Sequence, residues 1–120
     1  MAEQTQAEQE PSGLYEQLKN ALIGLSGIAF TEYEWDTRPA GNHGTVQLDF
    51  MANGDRGDDL HQDQAWEGSV DVWTNGRGDD IAAEVEGILE TYCEGAWELN
   101  SIQADNRKLH REYTFQIEVI

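Results

Sequence analysis

Positive charge is scarce in this 120-residue chain. Seven Lys and Arg stand against 24 Asp and Glu, and only Lys19 and Lys108 are lysines. Gripping nucleic acid through its phosphates takes clustered basic side chains, and the sequence contains no such cluster. A single cysteine, Cys93, excludes an internal disulfide. It falls at the edge of an apolar helical stripe with no activating neighbour in sequence, so it is expected to be a small buried hydrophobe. No apolar run approaches the roughly 18 residues needed to cross a membrane, and no basic stretch followed by an apolar one opens the chain. Neither a membrane anchor nor a secretory leader is expected. Motifs of catalysis are missing too. His43, His61 and His110 are scattered, and there is no Gly-x-Ser-x-Gly, His-Glu-x-x-His or phosphate-cradling glycine loop. The chain is therefore read as a non-enzyme with no cofactor and no bound metal.

What is abundant is carboxylate. The formal charge is −17, and a domain this small repels itself strongly at that charge unless salt screens it. Many solvated acids, scarce lysine and a 38% apolar fraction match a protein adapted to high salt. High net charge also favours disorder, but the apolar periodicity is too regular for that beyond residue 11. Residues 1–11 are polar and low in complexity and are expected to form a flexible arm; residues 12–120 form one domain.

Two helices organise it. In 79–94 the residues Ile81, Val85, Ile88, Leu89 and Tyr92 fall within one stripe, opposite Glu84, Glu86, Glu90 and Glu94. Asp79 or Asp80 is the expected N-cap. Leu14, Leu18, Ala21, Leu22 and Leu25 repeat the pattern in a helix starting at Ser12 and ending before Gly27. Ile23 points away from that stripe.

The remaining segments alternate. A strand over 28–35 slips in parity between Ile28/Phe30 and Tyr33/Trp35, and 36–44 is turn chemistry. Val46, Leu48 and Phe50 share one face of a strand over 45–52, and Trp66, Val70 and Val72 one face of a strand over 66–74. Trp73 breaks the pattern by landing on the polar face. Trp97 and Leu99 suggest a short strand, and 109–119 is the clearest of all, interrupted only by Arg111. The expected fold is α+β in the order α-β-β-β-α-β-β: two helices on one face of a mainly antiparallel sheet of about five strands. The other face would carry Asp49, Glu67, Asp71, Glu98, Glu112 and Glu118.

The loop 53–64 gathers Asp55, Asp58, Asp59, His61 and Asp63. These could ligate a divalent cation, but the spacing fails the EF-hand pattern, and a chain this acidic produces such clusters by composition. A solvated loop is the preferred reading. The Arg-Gly-Asp triplets at Arg56–Asp58 and Arg77–Asp79 are likewise turn and cap chemistry.

The strand Val70-Asp-Val-Trp-Thr74 running into the helix Asp79-Asp-Ile-Ala-Ala-Glu-Val-Glu-Gly-Ile-Leu89, and the closing strand Arg111-Glu-Tyr-Thr-Phe-Gln-Ile-Glu-Val119, resemble the tail-terminator (tail-completion) proteins of long-tailed viruses. The resemblance covers about residues 12–119 and rests on pattern and element order. It implies a small α+β subunit of the virion, assembled in the host cytoplasm into a ring (six subunits) at the head-proximal end of the tail. Its partners would be other copies, the tail-tube subunits and the head-side connector, with DNA passing through unbound. The acidic composition departs from the usual members and would fit a halophilic host. Under this reading Ile23 and Trp73, the large apolar residues off their core faces, are candidate subunit contacts. Asp55, Asp58, Asp59 and Asp63 are candidates for a lumen- or tube-facing acidic loop, where carboxylates would repel passing phosphates; the alternative is that they only hydrate the exterior. Another neck or tail subunit of similar fold, or an acidic DNA-mimic inhibitor, are the competing functions.

Overall fold

The computed structural model describes residues 13–52 and 65–118. It contains α1 (Gly13–Ile23), β1 (Ala29–Glu32), β2 (His43–Ala52), β3 (Ala65–Asn75), α2 (Asp79–Cys93), β4 (Trp97–Asp105) and β5 (Lys108–Glu118). The order of elements is the expected one. The strands form one open sheet ordered β1-β2-β3-β5-β4; β1 runs parallel to β2 and every other pairing is antiparallel.

The apolar stripes do what their periodicity requires. Tyr15, Leu18 and Leu22 of α1 and Val85, Leu89 and Cys93 of α2 pack into one cluster with Val46, Val70, Val72, Tyr113, Phe115 and Ile117 from a single face of the sheet. Burial of this kind is the main favourable term in folding. Aromatic rings reach the core by lying across glycines of the neighbouring strand. A Cβ on Gly44 would stand 2.5 Å from the Phe30 ring, and one on Gly68 2.5 Å from Phe115, so these two strand positions are glycine for lack of room.

Several boundaries differ from the sequence reading, each for a local reason. The first strand ends at Glu32, where Tyr33 takes a φ of 68° and turns the chain out of the extended conformation; that turn is the source of the parity slip. His43 and Gly44, expected in a turn, already pair with Trp73 and Val72. The short strand at Trp97 extends to Asp105 across a bulge between Leu99 and Ser101. It joins β5 by a two-residue turn at Asn106 and Arg107, both with positive φ, the backbone that suits the twist of a tight hairpin. The expected aspartate N-cap of α2 is replaced by Gly78 at φ 65°, with no side-chain cap. The 1–11 arm, Ser12 and the 53–64 loop, with Asp55, Asp58, Asp59 and Asp63, lie outside the described residues.

Candidate assembly surfaces

On the sheet face turned away from the helices, one row of side chains crosses three strands. His43 on β2, Trp73 on β3 and His110 on β5 are register partners, so their rings stack side by side. The ring centres lie 5.1 Å apart for His43 and Trp73 and 4.4 Å for Trp73 and His110, with planes within 14°. Arg38, from the loop between β1 and β2, places its guanidinium carbon 4.4 Å from the centre of a Trp73 ring, a favourable cation–π position. The indole Nε1 donates to Asp105 at 2.9 Å and His110 Nε2 donates to Asp71 at 2.9 Å. Trp73 is only 8% exposed. The sequence reading placed it correctly off the core face, but its own chain covers it, leaving little surface to offer a neighbour.

His43 is buried on the same row. Its Nδ1 lies 2.9 Å from the Gly41 carbonyl, while Nε2 has no partner among the described residues. Burial holds its imidazole below the usual value against the pull of the Gly41 carbonyl, and the nearby Arg38 and Lys108 cations add to the lowering. The loop above is strapped down at several points. Lys108 Nζ donates to the Ala40 carbonyl and to Asn75, Trp35 Nε1 donates to the Gly44 carbonyl, and Asn42 ties Gly27 to Asn75.

Around this row the face is acidic. Asp49 and Glu98 are exposed and Glu67 and Glu112 half-buried. Asp71 is drawn upward from the usual carboxylate range by burial, against the opposing pull of His110. A shallow groove of about 320 Å³ at the end of β4 and β5 is lined by Glu67, Trp97, Glu98, Thr114 and Gln116, with no cation among them. Among the described residues no group of three or more His, Cys, Asp or Glu is placed to share a metal ion.

Three side chains on the helix side of the sheet are held in their protonated forms. Burial, with Glu90 nearby, pushes the Cys93 thiol up to about 12, so it stays protonated at neutral pH and is a poor nucleophile. Burial together with the carboxylates they donate to also raises Tyr15, bonded to Glu32 at 2.7 Å, and Tyr113, bonded to Glu86 at 2.8 Å.

The sheet's two lateral edges are open: among the described residues no strand pairs with the outer side of β1 or of β4. The exposed large apolar residues belong to these margins. Ile23 (46%) ends α1 ahead of β1 and Tyr33 (53%) follows β1, while Leu99 and Ile102 lie on β4. Ile23 is thus exposed as the sequence indicated. Leu99 and Ile102 were missed as surface residues, although a signal was present: 99–104 is a run without charge in a very acidic chain. The His43–Trp73–His110 row had no linear signal beyond the parity of Trp73, because its members lie far apart in the chain. Compared with known proteins, the chain matches no family model and no curated protein.

Proposed function

We propose that this chain is a structural virion subunit, a tail terminator that assembles into a ring, caps the tail tube and presents a surface to the head-side connector. The observation that carries the reading is the open sheet whose lateral edges pair with no strand among the described residues, with helices on one face and carboxylates on the other. Two different free edges on one subunit suit heterologous, head-to-tail contacts, which close into rings when the rotation permits. A carboxylate face turned to a channel would repel DNA phosphates and let the duplex pass. Ile23 is the candidate subunit contact best supported by its exposure. Tail-tube subunits would dock through loops and backbone edges, and the acid-rich surface belongs to a virus of a halophilic host.

The test is mass measurement in molar salt with and without tail tubes. A ring by itself, and tubes of fixed length bearing it at one end, is the expected result; a monomer that leaves tube growth unchanged would overturn the reading. The −17 charge favours one rival, an acidic DNA mimic. That rival predicts a monomer or dimer which binds tightly to a basic DNA-handling protein.

A further inference from the structure

Charge is so dense in this sequence that its absence is informative. Only three runs of six or more residues lack a charged side chain: 20–31, 39–48 and 99–104. The run 39–48 enters β2, which lies inside the sheet between β1 and β3. The other two fall on the two edges: 20–31 covers the end of α1 and most of β1, and 99–104 is the middle of β4. Both edges expose apolar side chains, and neither carries the lysine or proline that usually discourages edge-to-edge pairing. Two bodies of the same strong charge approach most easily where neither is charged, and interface centres are in general depleted in charge because burying it costs desolvation.

The registers make the edges compatible. Following the pairs across the sheet, Ala29 shares a row with His43, Trp73, His110 and Gln103, and Thr31 shares one with Thr45, Asp71, Glu112 and Ser101. The pairing directions also leave β4 antiparallel to β1. A copy rotated about an axis along the strands would therefore bring its β1 antiparallel to β4, the more stable ladder. The Ala29 and Tyr33 N–H groups both donate towards β2, which turns the intervening peptide groups of Phe30 and Glu32 outward, with no backbone partner among the described residues.

We infer that β4 of one subunit pairs head-to-tail with β1 of a second copy, extending the sheet from subunit to subunit, with Leu99 and Ile102 covered by the Ile23–Tyr33 margin of the neighbour. The inference rests on the ring reading in taking the partner to be another copy of this chain.

The experiment mixes single-cysteine variants in molar salt under mild oxidation; the native Cys93 is buried. Ala29→Cys mixed with Gln103→Cys, or with Ser101→Cys if the ring shifts the register by two residues, is expected to give disulfide-linked pairs that neither variant forms alone. In parallel Ile102→Glu, which adds a carboxylate to the seam, is expected to keep its helix signal and to need about tenfold or more protein to assemble. Pairs formed by one variant alone would show a symmetric edge contact and overturn the head-to-tail assignment. Wild-type assembly with no linked pairs and no effect of Ile102→Glu would overturn the edge assignment while leaving a ring built on other surfaces. A wild-type chain that stays monomeric at every concentration would overturn both.

Discussion

At the scale of single residues, His43 carries the clearest consequence. It is 1% exposed, stacked on Trp73, with Nδ1 engaged and Nε2 buried without a partner among the described residues. Protonation would place a charge in that space beside Arg38 and Lys108, so the folded state holds the imidazole below its ordinary value. The unfolded chain then binds more protons than the folded one as pH falls through about 6.5, and stability declines over that interval until the folded-state value is passed. Asp71 has the opposite sign. It is raised from the carboxylate range, so its stabilising proton is taken up at lower pH. In molar salt the denaturation midpoint, followed by tryptophan fluorescence, is expected to fall between pH 7.5 and 5.5. In His43→Phe, which keeps a ring in the stack but takes no proton, that slope should be shallower. Equal slopes in the two proteins would remove His43 as the source. None of this could be read from the sequence, where His43 sat in a stretch of turn residues; only the pairing of β2 with β3 brings it against Trp73.

At the scale of elements, the start of α2 shows how a legible helix can begin by an illegible route. Its stripe was plain because Ile81, Val85, Ile88 and Leu89 follow the helical period, and Ala82, Val85, Leu89 and Cys93 are the buried set. Its cap was misread because the sequence offered two aspartates in the right place, while the residue that ties the turn comes from a distant strand. Arg111, which seemed only to interrupt the alternation of β5, is 6% exposed. Its Nη1 donates to the Arg77 carbonyl at 2.7 Å and its Nη2 to Asp79 at 3.0 Å, joining strand to helix entry. Arg77 pairs with the same carboxylate at 2.9 Å, and Arg77 first, with Arg111, holds Asp79 below the usual range. Arg111→Met should fill the space yet remove the charged donor from the Arg77 carbonyl, leaving it only the longer bond from the Thr74 hydroxyl at 3.4 Å, and should cost about 1.5–3 kcal/mol in denaturant unfolding. Lysine cannot reproduce the forked geometry, so Arg111→Lys should recover only part of the loss. Asp79→Asn, at a carboxylate 54% exposed, should change stability far less. An Arg111→Met protein as stable as wild type would mean that the fork contributes nothing to the helix entry. The edges were legible in part. The slip at Tyr33 marked the end of β1, whereas β4 looked short because its bulge hides the alternation between Leu99 and Ile102.

At the scale of the whole molecule, charge decides under which conditions the fold exists. Three of the six described Lys and Arg side chains pair with carboxylates: Lys19 with Glu16 and Glu32, Arg77 and Arg111 with Asp79. Such partly exposed pairs contribute little individually and cannot offset a net −17. Carboxylates on neighbouring strands stand within the Debye length of about 10 Å at 0.1 M salt, but beyond the length of about 3 Å at 1 M. Their mutual repulsion is therefore felt at the lower ionic strength and screened at the higher. Helix signal in circular dichroism should be full in molar NaCl and fall on dialysis to low salt, returning when salt is restored. Screening depends on ionic strength alone, whereas a built cation site depends on the ion, so the two causes separate cleanly. If screening acts, NaCl, KCl and MgCl2 matched in ionic strength should restore the helix along one curve. If Mg2+ acts well below its matched ionic strength, and calorimetry shows saturable binding, a specific site contributes and the non-metal reading of this acidic chain fails. A helix signal that never declines at low salt would instead detach the composition from salt adaptation, leaving the carboxylates to be explained by what the outer face of the sheet meets.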